Sequence, residues 1–468
     1  MVTDALIDAT AGELLAGYRA GDFTPTEALE AVLDRIAALN PQLNAFYVLE
    51  PEAAAAAAAQ SSRRWAAGEP CGPLDGVPVT LKENIATAGS PTPSGTAALA
   101  DTPPAGADGP SAVSMSRAGA IRLGKTVMPD YGMLSSGVSS LHGITRSPWH
   151  PEWTVGGSSG GASAAATARF GPIHLGSDIG GSIRLPATWT GLASLKPTYA
   201  LVPVDPPYIG RVIGPLARTI DDVRRAMQII AVPDPLMRDY THIDRPLDWT
   251  TPPPIDDVRG LRVAVHVDAG AGLPTDPEVA ALVLAAAQTF ERGGAHVEQI
   301  PPFLTQDQLH RLDLFLRARS WLDLTRLDPA HRAAVLPYIE AWAAGAAGCN
   351  GSDVIDAYAG VQAMRAATIA ATYPYDVVLS PVAPGAAFPA HWHGPTNDPA
   401  TALEHIAYTA PFNFSEQPAA TVNAGFTADG RPVGVQLAGR RFDDVRLLSI
   451  AGWYEAARPE GAVPRWPL

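Results

Sequence analysis

The chain has 468 residues and a formal net charge of −14, from 33 Lys and Arg against 47 Asp and Glu. Its length allows two or three domains or one large α/β domain, with ample chain to bury a sizeable core. The acidic balance argues against a nucleic-acid partner and against an anionic membrane surface.

In chain order, the opening MVTDALIDAT lacks the charged-then-apolar order of a signal peptide. No run approaches the roughly 18 apolar residues that would span a bilayer. Two cysteines, Cys71 and Cys349, provide neither a disulfide framework nor a cysteine zinc site. A cytoplasmic protein is expected. Residues 4–40 show helical periodicity, with Thr24-Pro25-Thr26-Glu27 starting a helix whose stripe is Ala28, Leu29, Val32, Leu33, Ile36 and Leu39. Residues 51–67 form a second, alanine-rich helix, so residues 1–70 read as an N-terminal helical layer. Residues 77–81 read as a short buried strand, placing Lys82 at its carboxyl end, where chemistry usually sits in open α/β sheets.

Residues 119–126 fit the phosphate-loop expression GxxxxGK[ST] letter for letter. That motif must open a helix, whereas residues 120–123 are themselves strand-like and Val127-Met128-Pro129 blocks a helix. Nucleotide binding is rejected. Residues 201–215 form a Pro/Gly-rich loop, expected to flank the pocket and carrying Tyr208, Ile209 and Arg211. A helix spans 217–230, with Thr219 or Asp221 near its start. Residues 232–257, rich in proline and aspartate (Pro252, Pro253 and Pro254 among them), read as a surface excursion. Arg262–Val265 is a strand, Pro277–Arg292 an amphipathic helix, and 304–370 mainly helical. Residues 376–381 are a buried strand, Asp429-Gly430 signals a hairpin, and a last helix covers 443–457.

The most informative stretch is 154–198. It holds two glycine-flanked serine sites, Gly156-Gly157-Ser158-Ser159-Gly160-Gly161 and Gly180-Gly181-Ser182, separated by a small-residue helix pattern and a short apolar run. Glycines beside a serine let backbone N–H groups approach a ligand closely, and successive N–H groups in a tight turn make an anion nest. The pattern points to a hydroxyl nucleophile with oxyanion donors. One compositional bias adds to it. The lysines number three, Lys82, Lys125 and Lys196, against a background of arginine. Arginine stays charged, whereas a buried lysine can lose its proton and act as a base.

These residues resemble the core of the amidase signature family, serine hydrolases with a Ser–cis-Ser–Lys triad. The resemblance runs through GGSSGG, Gly176-Ser177-Asp178-Ile179-Gly180-Gly181-Ser182-Ile183-Arg184, Gly191 and Leu195-Lys196-Pro197-Thr198. It extends to the DGxPxxxKD-like segment ending Lys82-Glu83, where Glu83 stands for the common aspartate. It covers most of the chain, most strongly 72–215 and 376–457, leaving 304–370 as a variable helical excursion. The fold implied is one large α/β domain, a twisted mixed sheet covered by helices on both faces.

The resemblance also implies site roles. Ser182 is the nucleophile, Ser158 relays protons and Lys82 is the base. The backbone N–H groups of Ile179, Gly180, Gly181 and Ser182 are oxyanion donors. Gly157 precedes a cis bond, and Asp178 with Arg184 either braces the loop or is an ordinary ion pair. Tyr131, Met133, Tyr208, Ile209 and Trp392 are placed at the substrate pocket, which favours a neutral, apolar or aromatic amide, ester or carbamate. No cofactor or metal is called for, and family members are often dimers.

Three rivals stand beside this reading. Gly156 to Gly160 also satisfies GxSxG, which would make Ser158 the nucleophile of an α/β-hydrolase-like esterase, although the preceding residues alternate poorly for a strand. His391-Trp392-His393 and His405 could be metal ligands, but HxH alone is weak, and they read as loop residues near the pocket mouth. A glutamine-amidotransferase component of a transfer-RNA-dependent complex shares the core. Such components carry an aspartate before the asparagine turn, where this chain has His405-Ile406-Ala407-Tyr408-Thr409.

Overall fold

The computed structural model describes residues 2–250 and 257–467; Pro252, Pro253 and Pro254 lie outside them. The strands are β1 Phe46–Leu49, β2 Pro78–Lys82, β3 Ile121–Thr126, β4 Val138–Ser139, β5 Gly143–Ile144, β6 Ile173–Asp178, β7 Ala193–Lys196, β8 Val212–Ala217, β9 Arg262–Val265, β10 His296–Gln299, β11 Val377–Pro381, β12 Ala419–Phe426 and β13 Pro432–Ala438. Apart from the small β4–β5 pair, they form one 11-stranded sheet in the order β1-β3-β2-β6-β8-β7-β12-β13-β11-β9-β10. The sheet is mixed: β3, β2 and β6 run parallel, as do β11, β9 and β10, while β8, β7, β12 and β13 pair antiparallel between them.

Strand alternation assigns each side chain to a face. On β9, Val263 and Val265 enter the largest core cluster while Ala264 enters another; on β11, Val377 and Leu379 part from Val378 in the same way. Both faces are therefore dry, which explains why these strands read as continuous apolar runs rather than as alternating ones. One face is covered by the helices Ala11–Ala20, Ile220–Ile230, Pro277–Arg292 and Asp444–Ala457, supplying Leu14, Val223, Phe290 and Leu448. On the other, Pro25–Leu43, Pro51–Ala67 and Gly160–Thr167 supply Leu29, Ala58 and Ala164. Thr10 and Thr24 close capping boxes on their helices, each worth about 1 kcal/mol.

Three sequence expectations change. The loop placed at 201–215 ends at Arg211, because Val212–Ala217 is the central strand β8, and the following helix starts at Ile220 behind the cap Thr219. Gly214 and Pro215 hide that strand from a pattern reading. Pro215 stands opposite Leu175 of β6, while the ladder to β7 stops at Leu216, so on the β7 side no ladder bond calls for the missing N–H. The excursion after 232 is not wholly at the surface, since Trp249 is buried in the largest core cluster. The phosphate-loop letters lie inside β3, with Lys125 and Thr126 paired across to β2.

Candidate active site

Lys82 ends β2 with its side chain away from Val79 and Leu81, which face the main core. On that other side the Gly160–Thr167 helix begins. Its entry is all small residues because backbone presses on backbone: a Cβ on Gly161 would lie 2.4 Å from both Ala45 O and Val127 N, and one on Gly176 would lie 2.6 Å from Ser159 Oγ. Ser158 follows Gly157 through a cis peptide bond. This packing brings Lys82 Nζ to 2.7 Å from Ser158 Oγ, with Ser159 Oγ and Ser177 Oγ each at 3.1 Å.

Lys82 is completely buried. Burial first, and the nearby Arg211 guanidinium second, push its pKa from 10.5 down to about 7, against the pull of Asp178 and Glu83. Removing an ammonium from water disfavours the charged form, so the amine reaches the neutral state near physiological pH.

The turn from Asp178 to Ser182 is held from beneath. Asp178 accepts from the N–H of Gly181 at 2.8 Å and of Ile183 at 3.0 Å, and takes a two-pronged bond from Arg184 Nε at 3.1 Å and Nη2 at 3.0 Å. Arg184 also reaches Gln436 Oε1, 2.7 Å, and Asn413 Oδ1, 2.5 Å. Burial alone would raise the Asp178 pKa; Arg184 and these donors hold it well below the usual carboxylate range. The pair is a brace for the loop as well as an ion pair. Gly181 N–H is committed to Asp178, which takes it out of the expected oxyanion set and leaves Ile179, Gly180 and Ser182.

Ser158 and Ser182 share a cavity of about 220 Å³, walled by Tyr131, Met133, Asn84, Arg211 and Arg319 among others. A narrower apolar slot continues from Ser182 between Met133, Leu134, Leu185, Leu316, Leu403 and Ile406. Of the five pocket residues expected from sequence, Tyr131 and Met133 line the cavity. Tyr208 lies behind it, with Arg319 Cζ stacked 4.5 Å over its ring. Ile209 and Trp392 pack instead against a second core cluster. The chain turns at Gly210, φ 72°, so Arg211 reaches the cleft in place of Ile209.

The histidines need a larger correction. His405 is 2 % exposed and bonded to Ser135 Oγ at 2.7 Å, its pKa lowered to about 4 by burial. It is a buried residue rather than one at a pocket mouth. His393 stacks on Tyr338 at 4.6 Å. Among the described residues no group of three or more His, Cys, Asp or Glu is placed to hold a metal, and no helix is long and apolar enough to cross a membrane. Among the described residues no histidine lines either part of the cleft, as a nucleophile elbow at Ser158 would require.

Sequence reasoning missed Ser177, Asn84, Arg319 and every wall of the slot named above except Met133. Ser177 adjoins the recognised motif and could have been found there. Arg319 and Leu316 sit on the Gln306–Thr325 helix, where nothing in the local pattern marks a site.

Comparison with known proteins agrees with this geometry. The Amidase family matches residues 27–448. The chain is 36% identical to an acylamidase of Rhodococcus erythropolis over 96% of this chain and 95% of the relative. It is 34% identical to a glutamyl-tRNA(Gln) amidotransferase subunit from Lachnospira eligens, over 97% of this chain and 99% of that one. The crystal structure of a bacterial aryl acylamidase superposes with a TM-score of 0.89 at 27% identity, covering 98% of this chain and 99% of the other. With family, fold and buried lysine–serine geometry in agreement, this chain belongs to the amidase signature family, as a serine hydrolase of the Ser–cis-Ser–Lys type that cleaves C–N amide bonds.

Proposed function

We propose that the chain is a stand-alone amidase that releases an amine from an apolar acyl group through an acyl-enzyme on Ser182. The observation that carries this reading is the 2.7 Å contact between Lys82 Nζ and Ser158 Oγ, in a buried shell that opens onto Ser182. Neutral Lys82 takes the Ser158 proton while Ser158 takes that of Ser182, whose Oγ attacks the carbonyl carbon. The oxyanion meets the N–H groups of Ile179, Gly180 and Ser182. As the tetrahedral intermediate collapses, the proton returns through Ser158 to the departing nitrogen. Water then hydrolyses the ester by the same relay. The apolar slot beside Ser182 accepts the acyl chain, and the same acyl transfer would serve an ester or carbamate.

The test is turnover of an aryl anilide, a primary aliphatic amide, an aryl carbamate and an ester by the isolated chain. Ser182→Ala and Lys82→Ala should each lose on the order of 10³-fold or more in kcat. Full activity of Ser182→Ala would overturn the assignment. Relatives of both kinds match this chain, so a role within an amidotransferase complex is the second reading. Amide turnover without partner or ATP decides against it.

A further inference from the structure

The part of the cleft nearest Ser158 holds two guanidinium groups, and one tyrosine positions both. Arg211 closes a turn by donating its N–H to Tyr208 O at 3.0 Å, with Gly210 at φ 72° supplying the left-handed residue. Arg319 comes from the Gln306–Thr325 helix and stacks on the Tyr208 ring. Both side chains then line the cavity with Ser158 and Ser182.

Neither guanidinium lies within 4.0 Å of a carboxylate among the described residues, unlike the buried Arg184, 3.0 Å from Asp178. The side-chain bond of Arg211 is a long one to Pro206 O, 3.4 Å. Its pKa falls to about 10, through burial and then the repulsion of Arg319. Asp323, a helical turn beyond Arg319, lines the same lobe. Asp178 is neutralised by Arg184. Asp205, outside the lining, offsets part of the Arg211 charge, but among the remaining charged groups that line the cavity itself Arg211 and Arg319 face Asp323 alone, so the lining keeps an excess of positive charge. Both residues are half-buried and keep their forks unpaired by a carboxylate, and a guanidinium fork matches a planar carboxylate.

The position of the lobe also says which half of a substrate reaches it. Ser158 returns the proton to the leaving nitrogen, so the amine lies against Ser158 and the acyl chain lies in the apolar slot. We propose that Arg211 and Arg319 bind a carboxylate carried by the amine half of the substrate, making N-acylated amines that bear a carboxylate, such as N-acyl aminobenzoates, the preferred class. This rests on the Ser182 reading for its orientation.

The test compares N-butanoyl-4-aminobenzoate with its neutral isostere N-butanoyl-4-aminobenzamide and with N-butanoylaniline. Wild type should favour the acid over the amide about 10- to 100-fold in kcat/KM, the range of a charged hydrogen-bonded contact. Arg319→Gln and Arg211→Gln should each bring that ratio towards one. Arg319, partly exposed on its helix, is the safer variant for folding. Equal rates for acid and amide in wild type, or a ratio unmoved by both variants, overturns the proposal. Calorimetry on Ser182→Ala adds a readout free of turnover, in which 4-aminobenzoate should bind at least about 10-fold tighter than 4-aminobenzamide. Selective 4-aminobenzoate binding without hydrolysis of any substrate keeps the anion site and sinks the Ser182 reading. Hydrolysis of the neutral anilide without selectivity for the acid does the reverse.

Discussion

At the scale of single residues, the proposed role of Lys82 as base predicts a pH dependence. A lysine at its ordinary pKa of 10.5 would be almost wholly protonated at neutral pH; burial and Arg211 bring it to about 7. Only the neutral amine can take a proton, so kcat/KM should rise with pH through an acid limb near 7 and level off above it. Removing the Arg211 charge relieves repulsion of the ammonium form. The limb of Arg211→Gln should therefore move to higher pH, as a pH–rate profile on the neutral anilide would show; an unmoved limb would separate Arg211 from Lys82. The lysine bias of the sequence was informative about burial and not about role. All three lysines are buried, yet Lys125 donates to Pro91 O at 3.2 Å and Lys196 to Pro197 O at 2.7 Å, away from the cleft lining. Composition cannot separate a base from a satisfied core amine, because both are buried and differ only in what lies at the nitrogen.

At the scale of elements, the site depends on how closely the Gly160–Thr167 helix approaches the sheet. Gly161→Ala would push a methyl into Ala45 O and Val127 N, both 2.4 Å away, and backbone cannot step aside as a side chain can. We expect a loss of about 1–3 kcal/mol in urea unfolding, the usual cost of overpacking. kcat should fall with it, since Ser158 and Ser159 are carried by the same turn. Wild-type stability in that variant would show that the helix entry has slack. The helices and hairpin were legible where local signals were strong: Pro277–Arg292 and the turn between β12 and β13 lie where periodicity and Asp429-Gly430 put them. β8 was not legible, because Gly and Pro inside a strand imitate a loop and only its neighbours β6 and β7 make it one.

At the scale of the whole molecule, the helices Gln306–Thr325, Pro337–Ala344 and Gly351–Thr372 contribute Leu312, Leu316, Trp342 and Met364 to a second core cluster, which they share with Leu185 and Trp189 beside the site. Trp342 is buried there, its Nε1 bonded to Asp313 Oδ1 at 2.9 Å. The Gln306–Thr325 helix that it supports carries both Arg319 and Leu316, one for each part of the cleft. Trp342→Ala should cost about 3–5 kcal/mol and raise KM more than it lowers kcat, since the Lys82 shell belongs to the sheet. Steady-state kinetics with urea unfolding would check both, and a selective loss of kcat would contradict this division.

That division also marks what the sequence determined. The roles of nucleophile, relay, base and brace came from the family resemblance, while the glycine-flanked serines, the small-residue helix entry and the strand ending in Lys82 were readable because they depend on backbone. Such constraints act over a few residues and leave a motif. Apart from Tyr131 and Met133, which follow a recognised segment, the substrate-facing walls leave none. Arg211, Arg319 and the turn carrying Leu403 and Ile406 come from separate segments that only the tertiary fold brings together. Their directions are set by packing partners such as Tyr208, so position within the family resemblance led to an apolar, aromatic pocket, where the tertiary structure assembled a cationic lobe beside an apolar slot.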